Sequence, residues 1–374
     1  MSYYRLLGLP LALGVILFSG VYIYIHATTA TPPDQNQPSK TATSTSVTSS
    51  STPEVTLPPL AEQVGRLFIV GHWAGTPIAS TTALIQQYHV GGVIIMSAPE
   101  DPNDIKGWIK EWQEVSDVPL MIAIDQEGGT VSRLKGPDFI QTAQPDIVNA
   151  EQAFSVAKQR GAELAALGIN TNFAPVIETS VNPAGFLYER TFRDPDLIPL
   201  LGKAMLNGYS ASGITGVIKH YPGHEDEPAD SHVTLPIVQL SGTTFREHAD
   251  NFNELISYGL VKAIMTAHVL IPSIDADHPA TLSKKILTGE LREKQHYDGV
   301  IITDDMTMDA IDEQFSTEAA AVLALNAGAD MILFAAEPER VTAVIPYVLQ
   351  AVDSGEIPES IIEQHYQRVS RLER

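Results

Sequence analysis

The sequence predicts an α/β fold built on a single (β/α)8 TIM-type barrel, and three observations predict it. Eight short apolar runs recur along the chain, helix-length stretches separate most of them, and most runs stop abruptly at a polar or catalysis-capable residue. The runs are 66–71, ended by His72; 91–96; 120–124, ended by Asp125; 169–176; 213–218, ended by Lys219 and His220; 263–267, ended by His268; 299–303, ended by Asp304; and 329–335. In such a barrel the carboxyl ends of the parallel strands converge on one face. Asp125, Lys219, His220, His268 and Asp304 are therefore expected to ring one pocket.

The gaps read as helices. Apolar spacing predicts a helix over 147–167, with Asp146 as N-cap and Gly168 just past its end. Similar patterns predict helices over 197–212, 245–258 and 317–327, and a final helix over 358–372 that covers the barrel. No repeat appears beyond the β/α alternation. No shift of composition after residue 60 marks a second domain, so 59–374 is read as one barrel domain.

The first 58 residues stand apart. Residues 6–25 carry no charge, and about 20 apolar residues span a bilayer, so 1–26 is read as a transmembrane anchor. A cleaved signal peptide is the alternative, because 27–30 (Ala-Thr-Thr-Ala) offers a small-residue cleavage site. Arg5 precedes the apolar run and no Lys or Arg follows it until Lys40, which places the amino end inside and the barrel outside the membrane. Residues 27–58 are rich in Ser, Thr and Pro, which is the composition of a disordered linker. The expected location is extracytoplasmic, anchored by the N-terminal segment alone or secreted after its cleavage.

Bulk composition excludes several classes. Net charge is −22, so a nucleic-acid partner is not expected. There is no cysteine, which excludes disulfides, thiolate catalysis, iron–sulfur clusters and a lipidated cysteine. A monomer without a cofactor is expected.

The densest chemistry is Lys219-His220-Tyr221-Pro222-Gly223-His224 followed by Asp230-Ser231-His232. Pro222, Gly223 and Pro228 make the connection an irregular loop. Asp230 and His232 flank one serine, so the aspartate can hold the imidazole and make His232 a general acid and base. A metal is the rival use: His220, His224, Asp230, His232 and His268 are all ligand types, but their spacing fits no standard motif, and no metal is expected. In Thr303-Asp304-Asp305, Asp304 ends a buried strand and can be a covalent nucleophile; capping of the next helix is the equal alternative, with Asp305 capping or orienting. In Ile124-Asp125-Gln126-Glu127-Gly128-Gly129, Asp125 can accept sugar hydroxyls, Glu127 reads as structural, and the glycines allow a tight turn near a ligand. Arg190 either reaches the pocket or is a solvated loop cation.

Together these segments resemble the family 3 glycoside hydrolases, within them the bacterial β-N-acetylhexosaminidases. The resemblance rests on I-D-Q-E-G-G (124–129), N-F-A-P-V (172–176), R-T-F (190–192), K-H-Y-P-G-H (219–224), D-S-H (230–232), M-T-A-H-V (265–269), G-V-I-I-T-D-D-M (299–306) and A-G-A-D-M-I-L (327–333), in the family's order. It implies Asp304 as the nucleophile of a glycosyl–enzyme, His232 as acid/base with Asp230 as its partner, and Asp125, Arg190, Lys219, His220 and His268 around a terminal N-acetylglucosamine. It implies retention in two steps, on cell-wall glycans. Phosphorolysis, β-glucosidase activity and an inactive carbohydrate-binding protein are the alternatives. Three positions depart from the family: Glu225 stands where glycine is common, Thr130 where arginine is common, and Glu178 where aspartate is frequent. Thr130 implies a lost substrate contact or ion pair.

Overall fold

The computed structural model describes residues 57–224, 234–240 and 243–372. The predicted anchor, the linker as far as residue 56 and the Asp230/His232 pair lie outside the described residues. Among the described residues no helix is long and apolar enough to cross a membrane.

Among the described residues ten strands follow the chain: β1 (Phe68–His72), β2 (Gly92–Ile95), β3 (Met121–Ile124), β4 (Gln126–Gly128), β5 (Val131–Ser132), β6 (Thr171–Asn172), β7 (Thr215–Tyr221), β8 (Ala263–Thr266), β9 (Val300–Asp305) and β10 (Met331–Phe334). Eight of them close into a barrel in the order β1-β10-β9-β8-β7-β6-β3-β2. The ladder is parallel throughout, from Phe68 opposite Ile332 to Val300 opposite Ala263. Each predicted run contributes one barrel strand. The reason is that a parallel strand covered by helices outside and side chains inside is buried on both faces, so it is written as an unbroken Val/Ile-rich run. The run at 169–176 pairs as a strand over only two residues, because Pro175, joined to Ala174 by a cis peptide, has no N–H to offer the ladder.

Helices fill the connections: α1 (Leu60–Gly65), α2 (Ile78–Tyr88), α3 (Asp104–Val115), α4 (Ala150–Leu167), α5 (Ile198–Ser210), α6 (Phe245–His248), α7 (Asp250–Ser257), a π-helix (Lys285–Lys294), α8 (Asp309–Asp312), α9 (Thr317–Ala327), α10 (Val341–Ser354) and α11 (Glu359–Leu372). Gly168 ends α4 with φ 92°, as expected. The N-cap is Asn149, whose Oδ1 accepts from the Gln152 N–H at 2.9 Å, and not Asp146, which sits in a preceding 3-10 turn. The helix expected over 245–258 is two helices, because the backbone leaves the helical range at Ala249 (φ −93°, ψ 19°). Helix α11 meets the amino ends of the strands: His365 Nδ1 lies 2.7 Å from the buried Asp330, and Arg371 pairs with Asp298 at 3.0 Å. That end is opposite the strand tips that carry the chemistry.

Candidate active site

Strand ends bring together most of the expected residues. Asp125 follows β3, Lys219 and His220 lie in β7, Asp304 lies in β9, and Arg190 comes from the loop after β6; all five line one cavity of about 350 Å³. Trp73, Glu127, Arg133 and Asp305 line it too, over an apolar base that includes Met96, Phe173 and Met265.

Lys219 is the electrostatic centre of one wall. Its Nζ donates to Asp125 Oδ1 at 2.7 Å and lies 2.7 Å from Glu127 Oε1. Glu127 also accepts two bonds from Arg190, at 3.0 Å from Nε and 2.9 Å from Nη2. Glu127 is therefore tied into ion pairs with both cations, and Arg190 lines the cavity rather than standing as a solvated cation. Burial pushes the Glu127 carboxyl up, but Arg190 and Lys219 outweigh it and hold it down at about 2. Burial likewise opposes the charge of Asp125, and Lys219 and Arg133 still hold it below the usual carboxylate range. Lys219 is held above the ordinary lysine value, since Asp125 and Glu127 outweigh its burial. These groups stay ionised at neutral pH, and each keeps hydrogen-bonding capacity to spare: Lys219 has three N–H donors and Arg190 five.

Arg133 was not singled out in the sequence. Its Nη2 donates to Asp125 Oδ2 at 3.2 Å. A cation therefore stands beside Asp125 even though Thr130 is not arginine. The double glycine explains how: β4 and β5 form a hairpin that turns at Gly128 (φ 93°) and Gly129 (φ 64°), and its return strand delivers Arg133. The close approach that Gly128 permits is to backbone, since a Cβ there would sit 2.2 Å from the Thr142 oxygen, and not to a ligand.

Glu178 organises the other wall. Its Oε1 accepts from the His220 peptide N–H at 3.0 Å and lies 2.5 Å from His220 Nδ1. Its Oε2 accepts from the His224 peptide N–H at 2.5 Å and lies 2.9 Å from His224 Nδ1. Burial opposes the Glu178 charge, but the His224 and His220 contacts hold the carboxyl well below its ordinary value. Burial pushes the His220 imidazole down, which Glu178 offsets only in part. His220 is then neutral, donates from Nδ1 to Glu178, and turns an accepting Nε2 toward Asp304 Oδ2, 4.0 Å away.

The three residues Glu178, His220 and His224 bring ligand-type atoms within 4.8 Å of one another. Four N–H groups already converge on that carboxylate, so a cation there would have to displace two imidazole protons and face two peptide N–H dipoles. The donor set fits a hydrogen-bonded hub rather than a metal.

Asp304 Oδ1 accepts from the Asp305 peptide N–H at 2.8 Å. Neither aspartate caps α8, whose N-cap position is Met308. Asp305 instead secures the tip of β10, accepting from the N–H groups of Ala335 (3.1 Å) and Ala336 (3.0 Å), and burial raises its carboxyl above the usual value. His268 is the residue that does not reach the pocket. It is fully buried, with Nδ1 2.8 Å from Thr281 Oγ1 and Nε2 3.0 Å from the Asp305 carbonyl. It braces the Asp304–Asp305 strand end through that carbonyl.

Comparison with known proteins now decides the family. The family described as "Glycosyl hydrolase family 3 N terminal domain" matches residues 59–372. The chain belongs to glycosyl hydrolase family 3. It is similar to the beta-hexosaminidase LpqI of Mycobacterium tuberculosis, 31% identical over 329 residues that cover 83% of this chain and 82% of that protein. A family 3 beta-N-acetylglucosaminidase structure from Paenibacillus sp. FPU-7 superposes with a TM-score of 0.77 at 35% identity, over 84% of this chain and 62% of that one. The beta-N-acetylhexosaminidase structure from Beutenbergia cavernae also gives a TM-score of 0.77, at 28% identity over 84% of this chain and 98% of that one. The barrel of this chain is therefore that of a family 3 glycoside hydrolase.

Proposed function

We propose that this hydrolase is a retaining, exo-acting β-N-acetylglucosaminidase that removes terminal β-linked N-acetylglucosamine from cell-wall glycans outside the membrane. One observation carries the reading: the Asp304 carboxylate shares a single cavity of about 350 Å³ with Asp125, Arg190, Lys219 and His220. That volume lies near the lower limit of ligand pockets, about 300 Å³, which suits one sugar unit rather than a chain. The names of the relatives support the choice of sugar.

In this mechanism Asp125, Lys219 and Arg190 bind the hydroxyls of the terminal unit with the hydrogen-bonding capacity their mutual ion pairs leave over. His220 accepts one hydroxyl at Nε2, while Glu178 fixes its tautomer. Asp304, oriented by the Asp305 N–H, attacks the anomeric carbon and forms a glycosyl–enzyme. His232, held by Asp230, protonates the leaving oxygen and then removes a proton from the attacking water. An imidazole in that role does not repel the nearby nucleophile, as a second carboxylate would.

A panel of nitrophenyl β-glycosides, assayed on the full-length protein with and without phosphate, tests this. The expected result is preference for the β-N-acetylglucosaminide, free N-acetylglucosamine in both buffers, and retention at the anomeric carbon. Preference for the β-glucoside, or a sugar phosphate as product, overturns it. Fractionation of cells producing the full chain should place the activity outside the cytoplasm, in the membrane or the medium; activity confined to the cytosol overturns that part.

A further inference from the structure

Trp73 is not explained by the fold. The chain has three tryptophans. Trp108 and Trp112 are buried beneath His72, whereas Trp73 is 39% exposed and lines the catalytic cavity. The ring is pinned rather than loose. Its Nε1–H donates to the Ala335 carbonyl at 3.0 Å, and the next residue is tied through Ala74 N–H to Ser97 Oγ at 2.7 Å. Ala335 is itself held by Asp305, the neighbour of Asp304. The close approach of β1 to this point depends on Gly71, where a Cβ would lie 1.9 Å from the Ala335 oxygen.

We propose that Trp73 is the stacking platform for the sugar on the leaving-group side of the scissile bond. This rests on the exo-glycosidase reading above. The exposure gradient sets the position: on the wall that Lys219 and Glu127 form, their side chains are 3% and 1% exposed, the Asp304 side chain is 18% exposed, and Trp73, at 39%, stands at the mouth. A cavity closed at its base takes the terminal unit first, so the second unit lies at the mouth, beside the indole. The chemistry matches. A pyranose turns a sheet of weakly positive C–H bonds toward its face, and an indole face is the most negative among aromatic side chains. Anchoring the nitrogen edge leaves the carbon surface to meet the sugar, and a pre-fixed ring loses little freedom on binding.

The test compares Trp73→Ala and Trp73→Phe on two substrates of the full-length protein: a trimer of β-1,4-linked N-acetylglucosamine and the glycosyl fluoride of N-acetylglucosamine, which has no second ring. Trp73→Ala should lower kcat/KM about tenfold on the trimer, a typical aromatic-contact loss, and change it under about twofold on the fluoride. Trp73→Phe should recover most of the difference. Acrylamide quenching supplies a second readout, because Trp73 is the exposed indole. In an Asp304→Ala background the trimer should shield it and the monosaccharide should not. Equal losses on both substrates, or no shielding by the trimer, overturns the platform. Failure of the underlying reading is distinguishable, since the unmutated protein would then cleave neither substrate.

Discussion

Glu178 grips His220 twice, through the peptide N–H at 3.0 Å and through ring Nδ1 at 2.5 Å, while its other oxygen grips His224 in the same way. One buried carboxylate thus sets both the backbone path of the Lys219–His224 segment and the tautomer of the imidazole facing Asp304. In the sequence Glu178 stands out only as a departure from aspartate.

Glu178→Gln should lower kcat/KM on an aryl β-N-acetylglucosaminide by about 100-fold, the scale expected when a catalytic group shifts by about an ångström. The amide offers one acceptor oxygen to four N–H donors and points its own N–H groups at them. Glu178→Asp keeps the charge and should retain much more activity. Steady-state kinetics of the two variants decides this; a fully active Glu178→Gln would remove Glu178 from the positioning role.

Asp304→Ala should abolish turnover. His232→Ala should cost about 10²–10⁴-fold with a poor alkyl leaving group and much less with nitrophenol, which departs without a proton. Leaving-group dependence measured on both variants checks the assignment. Small and equal effects would contradict it.

Acid should weaken the fold through His72. This imidazole is buried between Trp108 and Trp112, with Nδ1 2.8 Å from Thr81 Oγ1, and burial pushes it down to about 4. The unfolded chain takes up the proton near pH 6.5, the folded one only near 4, so the unfolded state gains stability as pH falls between those values. The loss amounts to about 3 kcal/mol across that window. The melting temperature of His72→Leu should fall less between pH 7 and 4.5 than that of the parent; an equal fall assigns the acid sensitivity elsewhere.

Prolonged EDTA treatment should leave activity unchanged, because four N–H groups already occupy the Glu178 carboxylate. Strong inhibition, reversed by a divalent cation, would make the Glu178–His220–His224 group a metal site.

The barrel was legible because its physics is local and periodic. Strands buried on both faces read as apolar runs, and a polar residue at the end of each marks the strand tip. That rule located Asp125, Lys219, His220 and Asp304. The same rule could not tell which way a tip residue points. His72 turns outward to α2 and α3, its neighbour Trp73 turns to the cavity, and His268 packs against the Asp305 carbonyl, because side chains alternate across a strand.

The amino-acid sequence alone determined the eight-strand alternation, the family and the acids and bases at the strand tips, since each is written in contiguous residues. Only the tertiary structure decided that Glu178 orients His220 from 42 residues away, that a hairpin returns Arg133 to Asp125, and that Trp73 lines the same cavity as Asp304. Those relationships depend on chain closure and side-chain direction, which bring together groups that no spacing rule connects.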